Sequence, residues 1–298
     1  FEQALALSSQ AGDRLRSSMI VSNMGNVYLE QGRYAQAFGC YIQTLRIAQE
    51  LGNRLGICAA VGNLGNVYWQ QGEYANALQC HIYNLYLGLE LGDRLGITGA
   101  LWGIAETFKQ RDQYPEAMEI ITRAVTLGRA LETPFELSDY LNSQADLLFK
   151  MGDLAASQTA NNEALKLAQE TANQIVQAQA GLRSVSLRLR TGETDLPTAI
   201  HALEEMLPTA EGETDQAAIH YEIWRLAPTQ EAHHRQAAEA YRTLYEHTPN
   251  VEYKWRYETL SGERLPPPPS LPPLPPIVTQ ETVSLEALAA QVDALSKK

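Results

Sequence analysis

The stretch NMGNVYLEQGRYAQA, from Asn23 to Ala37, returns almost unchanged as NLGNVYWQQGEYANA from Asn63 to Ala77, a displacement of 40 residues. The same interval governs a row of turn residues: Gly32, Gly72, Gly152 and Gly192, with Asp112 in the third place. A second marker keeps the same step, Gly12, Gly52 and Gly92 each opening a GDR or GNR triplet. Self-similarity at one fixed period of this length specifies stacked supersecondary units, each burying a face against the next, rather than one closed globule.

Each unit reads as two helices. Val21, Met24, Gly25 and Tyr28 recur as Val61, Leu64, Gly65 and Tyr68, then Leu101, Ile104, Ala105 and Phe108, then Leu141, Gln144, Ala145 and Leu148. Those positions form one stripe of a 3.6-period helix, whose small third member lets a second helix approach closely. The turn that follows carries Gly where a left-handed residue is cheap. The second helix pairs a small residue with one four places on: Ala37 with Tyr41, Ala77 with His81, Ala117 with Ile121, and less typically Ser157 with Asn161. No segment alternates with period two, so no sheet is expected.

This spacing resembles the tetratricopeptide signature, in which a large residue, Leu-Gly and Tyr on one helix precede Ala and an aromatic on the next. The ordinary repeat has about 34 residues; a period of 40 implies longer helices. The form LGNRLGICAAVGNLGNVYWQQGEYANAL resembles the repeats of the spindle-orientation adaptors LGN and Pins and, less closely, kinesin light chain. The resemblance implies an all-α fold, a right-handed α-solenoid of stacked helix–turn–helix repeats.

Residues 13–172 read as four regular repeats, and 173–262 as two divergent repeats and a capping helix around Val251 to Leu260. Phe1 aligns with Tyr41, so residues 1–12 read as the second helix of a truncated repeat and the chain as a fragment of a longer protein. Residues 263–283 form a linker with eight prolines between Pro266 and Pro276, of which Leu265 to Pro276 make an extended tether of about 37 Å at roughly 3.1 Å per residue. Residues 284–298 are either a short amphipathic helix, capped by Ser284 and striped by Leu285, Leu288, Val292 and Leu295, or a disordered tail. Such a helix is marginal alone, so it must dock, in the groove or over the end of the stack, or stay unfolded.

The 298 residues carry a net charge of −12, which argues against nucleic acid as a partner. No apolar run is long enough to span a membrane, and three cysteines without metal-ligand spacing fit a reducing cytoplasm. No phosphate-binding loop, metalloprotease motif or nucleophile elbow occurs, so no catalytic residue, metal or cofactor is expected and the chain is not read as an enzyme. His81 stands where a core Tyr belongs and is read as buried; His233 and His234 point about 100° apart on a helix.

Function then falls to a surface. In the tetratricopeptide family the first helices line a concave groove that takes a peptide or helix. An Asn after the small residue contacts the ligand backbone there, which the resemblance carries to Asn26 and Asn66 and not to Glu106 and Asp146. A braced, structural Asn is the alternative. Glu106 and Asp146 at that same position, with Trp69, Trp102, Lys109, Lys150 and Arg190 as aromatic and cationic anchors, complete the expected peptide-binding set. The expected partner is a protein or peptide ligand, with the 284–296 helix as a possible intramolecular one. The alternative function is the sensor region of a larger bacterial signalling NTPase or cyclase. Arg14, Arg54 and Arg94 open the first helices and are expected to pair with the preceding turn or with acids across the groove.

Overall fold

An Asp or Asn precedes most first helices and fixes where they start. The side-chain oxygens of Asp13, Asn53, Asp93 and Asn173 accept from the backbone N–H three residues on, at 2.9, 3.1, 3.0 and 3.3 Å. Each bond satisfies one of the donors that a helix start leaves unpaired. The ends are fixed as firmly. A residue with positive φ recurs every 20 positions from Gly12 to Gly192. Three of these are not glycine: Asp112, Glu132 and Ala172, at 57°, 54° and 54°. The second turn marker therefore continues past Gly92 through residues whose identity hides it.

The computed structural model describes residues 3, 8, 12–210, 212–279 and 284–295, so the expectation for residues 1–12 lies almost wholly outside the described part. The helices are α1 Arg14–Glu30, α2 Tyr34–Glu50, α3 Arg54–Gln70, α4 Tyr74–Leu91, α5 Arg94–Gln110 and α6 Tyr114–Leu131. There follow α7 Pro134–Met151, α8 Leu154–Glu170, α9 Gln174–Thr191, α10 Leu196–Met206, α11 Glu213–Leu226, α12 Glu231–His247 and α13 Val251–Ser261. Short α14, Pro276–Thr279, and α15, Leu285–Leu295, close the chain. No strand occurs among the described residues. The fold is an α-solenoid of stacked helix–turn–helix repeats. From α1 to α6, and again from α7 to α13, each helix packs on the next, and first helices also touch one another, α3 on α5 and α7 on α9.

The chain divides into two compact units, Phe1–Leu131 with Pro268–Lys298, and Glu132–Pro267. In unit 1 the pairing of helices is a matter of shape. Tyr41 is wholly buried against Gly25, where an added Cβ would lie 2.6 Å from its ring. His81 takes the same place in the next repeat, gripped between Gly65 and Gly103, either of whose Cβ atoms would meet it at 2.7 Å. Ala37, Ala77 and Ala117 are wholly buried beside these residues. Tyr68 is fully buried, whereas Tyr28 is only half-buried and carries the Arg33 guanidinium 4.4 Å above its ring.

Unit 2 closes the equivalent contact with hydrogen bonds. Asn161 is wholly buried where Tyr41 stood. Arg183 Nη1 donates to Oδ1 of both Asn142 and Asn161, each at 2.8 Å. Asn161 Nδ2 in turn donates to the Ala180 carbonyl and to Ser184 Oγ, at 3.0 and 2.8 Å, and Ser157 Oγ to the Ala145 carbonyl at 2.8 Å. Farther on, Tyr221, Tyr241, Tyr257 and Leu260 form a separate small core shared by α11, α12 and α13.

The tail of unit 1 is ordered over 284–295 and lies on second helices. The proline segment crosses the turn of the second repeat: the Tyr68 hydroxyl donates to the Pro272 carbonyl at 2.8 Å, and the Leu271 N–H to Glu73 at 3.3 Å. Pro276, expected within the extended tether, instead opens α14, since a missing N–H costs nothing at a helix start. α14 and α15 pack against α4, and α15 also against α6. Leu288, Ala289 and Val292 are buried; Leu285 and Leu295 are half-buried. The described tail therefore packs mainly on second helices, and its Val278 joins the buried cluster that holds Tyr83 and Leu87 of α4.

Candidate functional site

A first helix spends one stripe on the core and leaves another outside. On α1, Leu15, Met19, Asn26 and Glu30 fall within about 60° of one another at 100° per residue, and all four are exposed. The same positions on α3 and α5 begin with Leu55 and Leu95. Leu15, Leu55 and Leu95 are 50%, 57% and 49% exposed, and Met19 62%. A large apolar residue left in the open at the same turn of three successive first helices marks a surface to be covered. In unit 2, Phe135 and Ile175 hold the same place and are also exposed. The sequence reading omitted this row. Its signal was present in the Arg-Leu pairs at 14–15, 54–55 and 94–95, out of phase with the core stripe.

The expected site residues distribute as follows. Asn26 is exposed, and its Oδ1 accepts from the Tyr41 hydroxyl at 2.8 Å, so the core holds its amide in one orientation. Asn66 is half-buried at the equivalent place on α3. Trp69 is half-buried against the unit 1 core, as are Leu271 and Leu274 of the proline segment; its Nε1 is buried with no partner among the described residues. Trp102 is half-buried on α5. Glu106 and Lys109 form an ion pair at 2.8 Å, with little of either side chain exposed. In unit 2, Lys150 lies 3.5 Å from Asp146, and Asp146 lies 3.9 Å from Arg183. Arg190 stacks over the Phe149 ring at 4.6 Å and donates to the Phe149 carbonyl at 3.3 Å. Lys109 and Lys150, expected as cationic anchors, are thus each met by a carboxylate on their own helix.

Arg14 and Arg54 bind neither the preceding turn nor an acid across a groove. They pair with Glu50 and Glu90, at the far end of the second helix in the same repeat. The third repeat has Ala130 at that position. There Arg94 Nη2 donates instead to the Leu295 carbonyl of the tail, at 3.0 Å.

Burial lowers the His81 imidazole to about 4, so it stays neutral in the core at physiological pH. Burial drives the Cys80 thiol up to about 12, which makes it a packing residue rather than a nucleophile. In unit 2, His220 and His233 approach Nδ1 to Nδ1 at 2.8 Å, a pairing their separation in sequence concealed, and burial followed by the second ring lowers His220. Among the described residues no three His, Cys, Asp or Glu side chains gather as a metal site, and no helix is long and apolar enough to cross a membrane.

Residues 15–82 match the family model of the tetratricopeptide repeat. No curated protein matches the chain in sequence. Among solved structures, the chain is similar to a Rap protein complexed with competence and sporulation factor, with a TM-score of 0.62 at 12% identity over 83% of this chain and 76% of that one. It is similar also to aspartyl phosphate phosphatase F from Bacillus subtilis, with a TM-score of 0.62 at 10% identity over 80% and 62%. A signal transduction ATPase with a tetratricopeptide repeat sensor, from Pyrococcus horikoshii, gives 0.55 at 12% identity, over 83% of this chain and 39% of the ATPase. At these identities the likeness is one of fold.

Proposed function

We propose that the exposed face of α1, α3 and α5 receives an extended peptide or a helix from a partner protein, which makes this tetratricopeptide stack a protein-interaction scaffold. The row Leu15, Leu55 and Leu95 carries the reading. It offers three apolar anchors at a regular interval, and the same face continues to Asn26 and Asn66, whose amides both donate and accept. Apolar contact supplies affinity, and the amides fix the register of a backbone laid across them. Because Glu106 matches Lys109, an apolar ligand with free backbone amides fits this face better than a strongly acidic one. The resemblance to the spindle-orientation adaptors and the likeness to a Rap protein complexed with competence and sporulation factor support the same reading.

A second reading rests on the fold shared with the sensor-bearing ATPase: the repeats would be the sensor region of a larger bacterial signalling protein. It uses the same face and changes only what the ligand controls.

A random peptide library displayed on phage and selected on the immobilised chain tests the proposal. Selected peptides should lose at least ten-fold in affinity on Leu55→Asp with Leu95→Asp, and less on Asn26→Ala with Asn66→Ala, with the melting temperature nearly unchanged. Peptides that bind these variants and the unaltered chain alike would remove this face from the function.

A further inference from the structure

The face of α4 and α6 beneath the tail has features that the tail itself does not fully use. Arg123 on α6 grips Asp293 with two parallel bonds, Nε to Oδ1 at 2.8 Å and Nη2 to Oδ2 at 3.0 Å. Such a fork against a carboxylate is geometrically selective. Made by the ninth residue of the tail helix, this contact sets both its register and its direction. Arg94 then meets the last turn of α15, where helix carbonyls lack intrahelical partners and a cation is favoured.

Arg94 is under-employed. Its counterparts Arg14 and Arg54 each hold a carboxylate, from Glu50 and Glu90. With Ala130 in that position, Arg94 holds a single carbonyl, and its Nε is buried with no partner among the described residues. A guanidinium presented in this way is built for an acceptor with two oxygens. Among its described residues the tail supplies the apolar stripe and the Asp293 carboxylate against Arg123, and gives Arg94 a carbonyl in place of a carboxylate.

We infer that the α4/α6 face is a receptor site for an amphipathic helix of a partner protein, one with a carboxylate against Arg123 and another, in its last turn, against Arg94. The tail is the resident occupant. Its bound pattern states the requirement: apolar residues at the places of Leu288, Ala289 and Val292, an acid at Asp293, and an acid or a chain-terminal carboxylate at Leu295. Tethering gives the tail an effective concentration on the order of millimolar, so a partner displaces it by binding more tightly, and the second carboxylate is the means. This site is built from second helices with Arg94 at the start of α5, and it is argued from contacts other than the row Leu15, Leu55 and Leu95.

The test uses the full chain and labelled, C-terminally amidated peptides of residues 284–295, measured by fluorescence anisotropy. Undocking the tail with Leu288→Asp and Val292→Asp should raise affinity for the peptide at least ten-fold over the unaltered chain. Should that pair of changes unfold the protein, Asp293→Arg serves, since it repels Arg123 and spares the apolar stripe. A peptide carrying Leu295→Glu should bind the undocked chain several-fold more tightly than its parent, and Arg94→Gln should erase that gain. Equal binding to docked and undocked chains, no binding to either, or a gain that survives Arg94→Gln would overturn the inference.

Discussion

Tyr41 and Asn161 occupy the same place in their repeats, and both are wholly buried. Around Tyr41 the contact is a ring set against a glycine; around Asn161 it is an Arg183 guanidinium bridging two amides. The second helix is thus held at this position in unit 1 by shape and in unit 2 by paired polar groups that reach the next first helix. A close-packed apolar contact fails by leaving a void. A polar network fails by leaving a donor or acceptor without a partner, and it tolerates wholesale apolar replacement better than loss of one member. The two units should therefore respond oppositely to the same kind of damage.

The largest effect is expected in unit 1. Tyr41→Ala should destabilise by about 3–5 kcal/mol, read from chemical denaturation, and no single second change should restore it. In unit 2, Arg183→Met should cost about 3 kcal/mol, the scale of an interrupted buried network. Adding Asn161→Leu and Asn142→Leu should recover most of that loss. A small cost for Arg183→Met, or no recovery, would break the contrast.

Acid sharpens it next. His81 has a folded pKa of about 4, below its unfolded value. The unfolded chain therefore binds the proton first, and stability present above about pH 6.5 is lost as pH falls toward 4. Between pH 7 and 5 the loss should be on the order of 2 kcal/mol. His81→Asn, which copies the residue at position 161, should flatten that slope whatever its own cost. An unchanged slope would place the titrating group elsewhere, His220 being next.

The smallest effect concerns the turns. Ala172 sits at φ 54° where unit 1 uses glycine. Ala172→Gly should stabilise by about 1 kcal/mol by removing left-handed strain, while Gly52→Ala should cost a similar amount. Opposite signs would mean that the loop entropy of glycine outweighs the strain.

The repeat, the helix pairs and the buried His81 were legible because turn glycines and the core stripe recur at one interval. Glu132 and Ala172 were not, since the stack imposes their conformation without the residue that advertises it. The docking of the tail was legible as a stripe seeking a surface, but not its address, which depends on a carboxylate missing at Ala130 as much as on residues present. Leu15, Leu55 and Leu95 were in plain view and were passed over because a recurrent leucine is ordinarily core. The ion pairs of Lys109 and Lys150 are set by neighbours three and four places away on the same helix, a local fact that the 40-residue ladder obscured.

The central claim is that unit 1 keeps its first-helix face open while its second-helix face is covered by its own tail. Hydroxyl-radical footprinting read by mass spectrometry examines both faces in one experiment. Met19, Leu55 and Leu95 should be modified readily in the unaltered chain, and Tyr83, Leu87 and Leu288 protected. Leu288→Asp with Val292→Asp should expose Tyr83 and Leu87 and leave Met19, Leu55 and Leu95 as they were. Protection of Met19 and Leu55, or ready modification of Leu87 in the unaltered chain, would contradict the account.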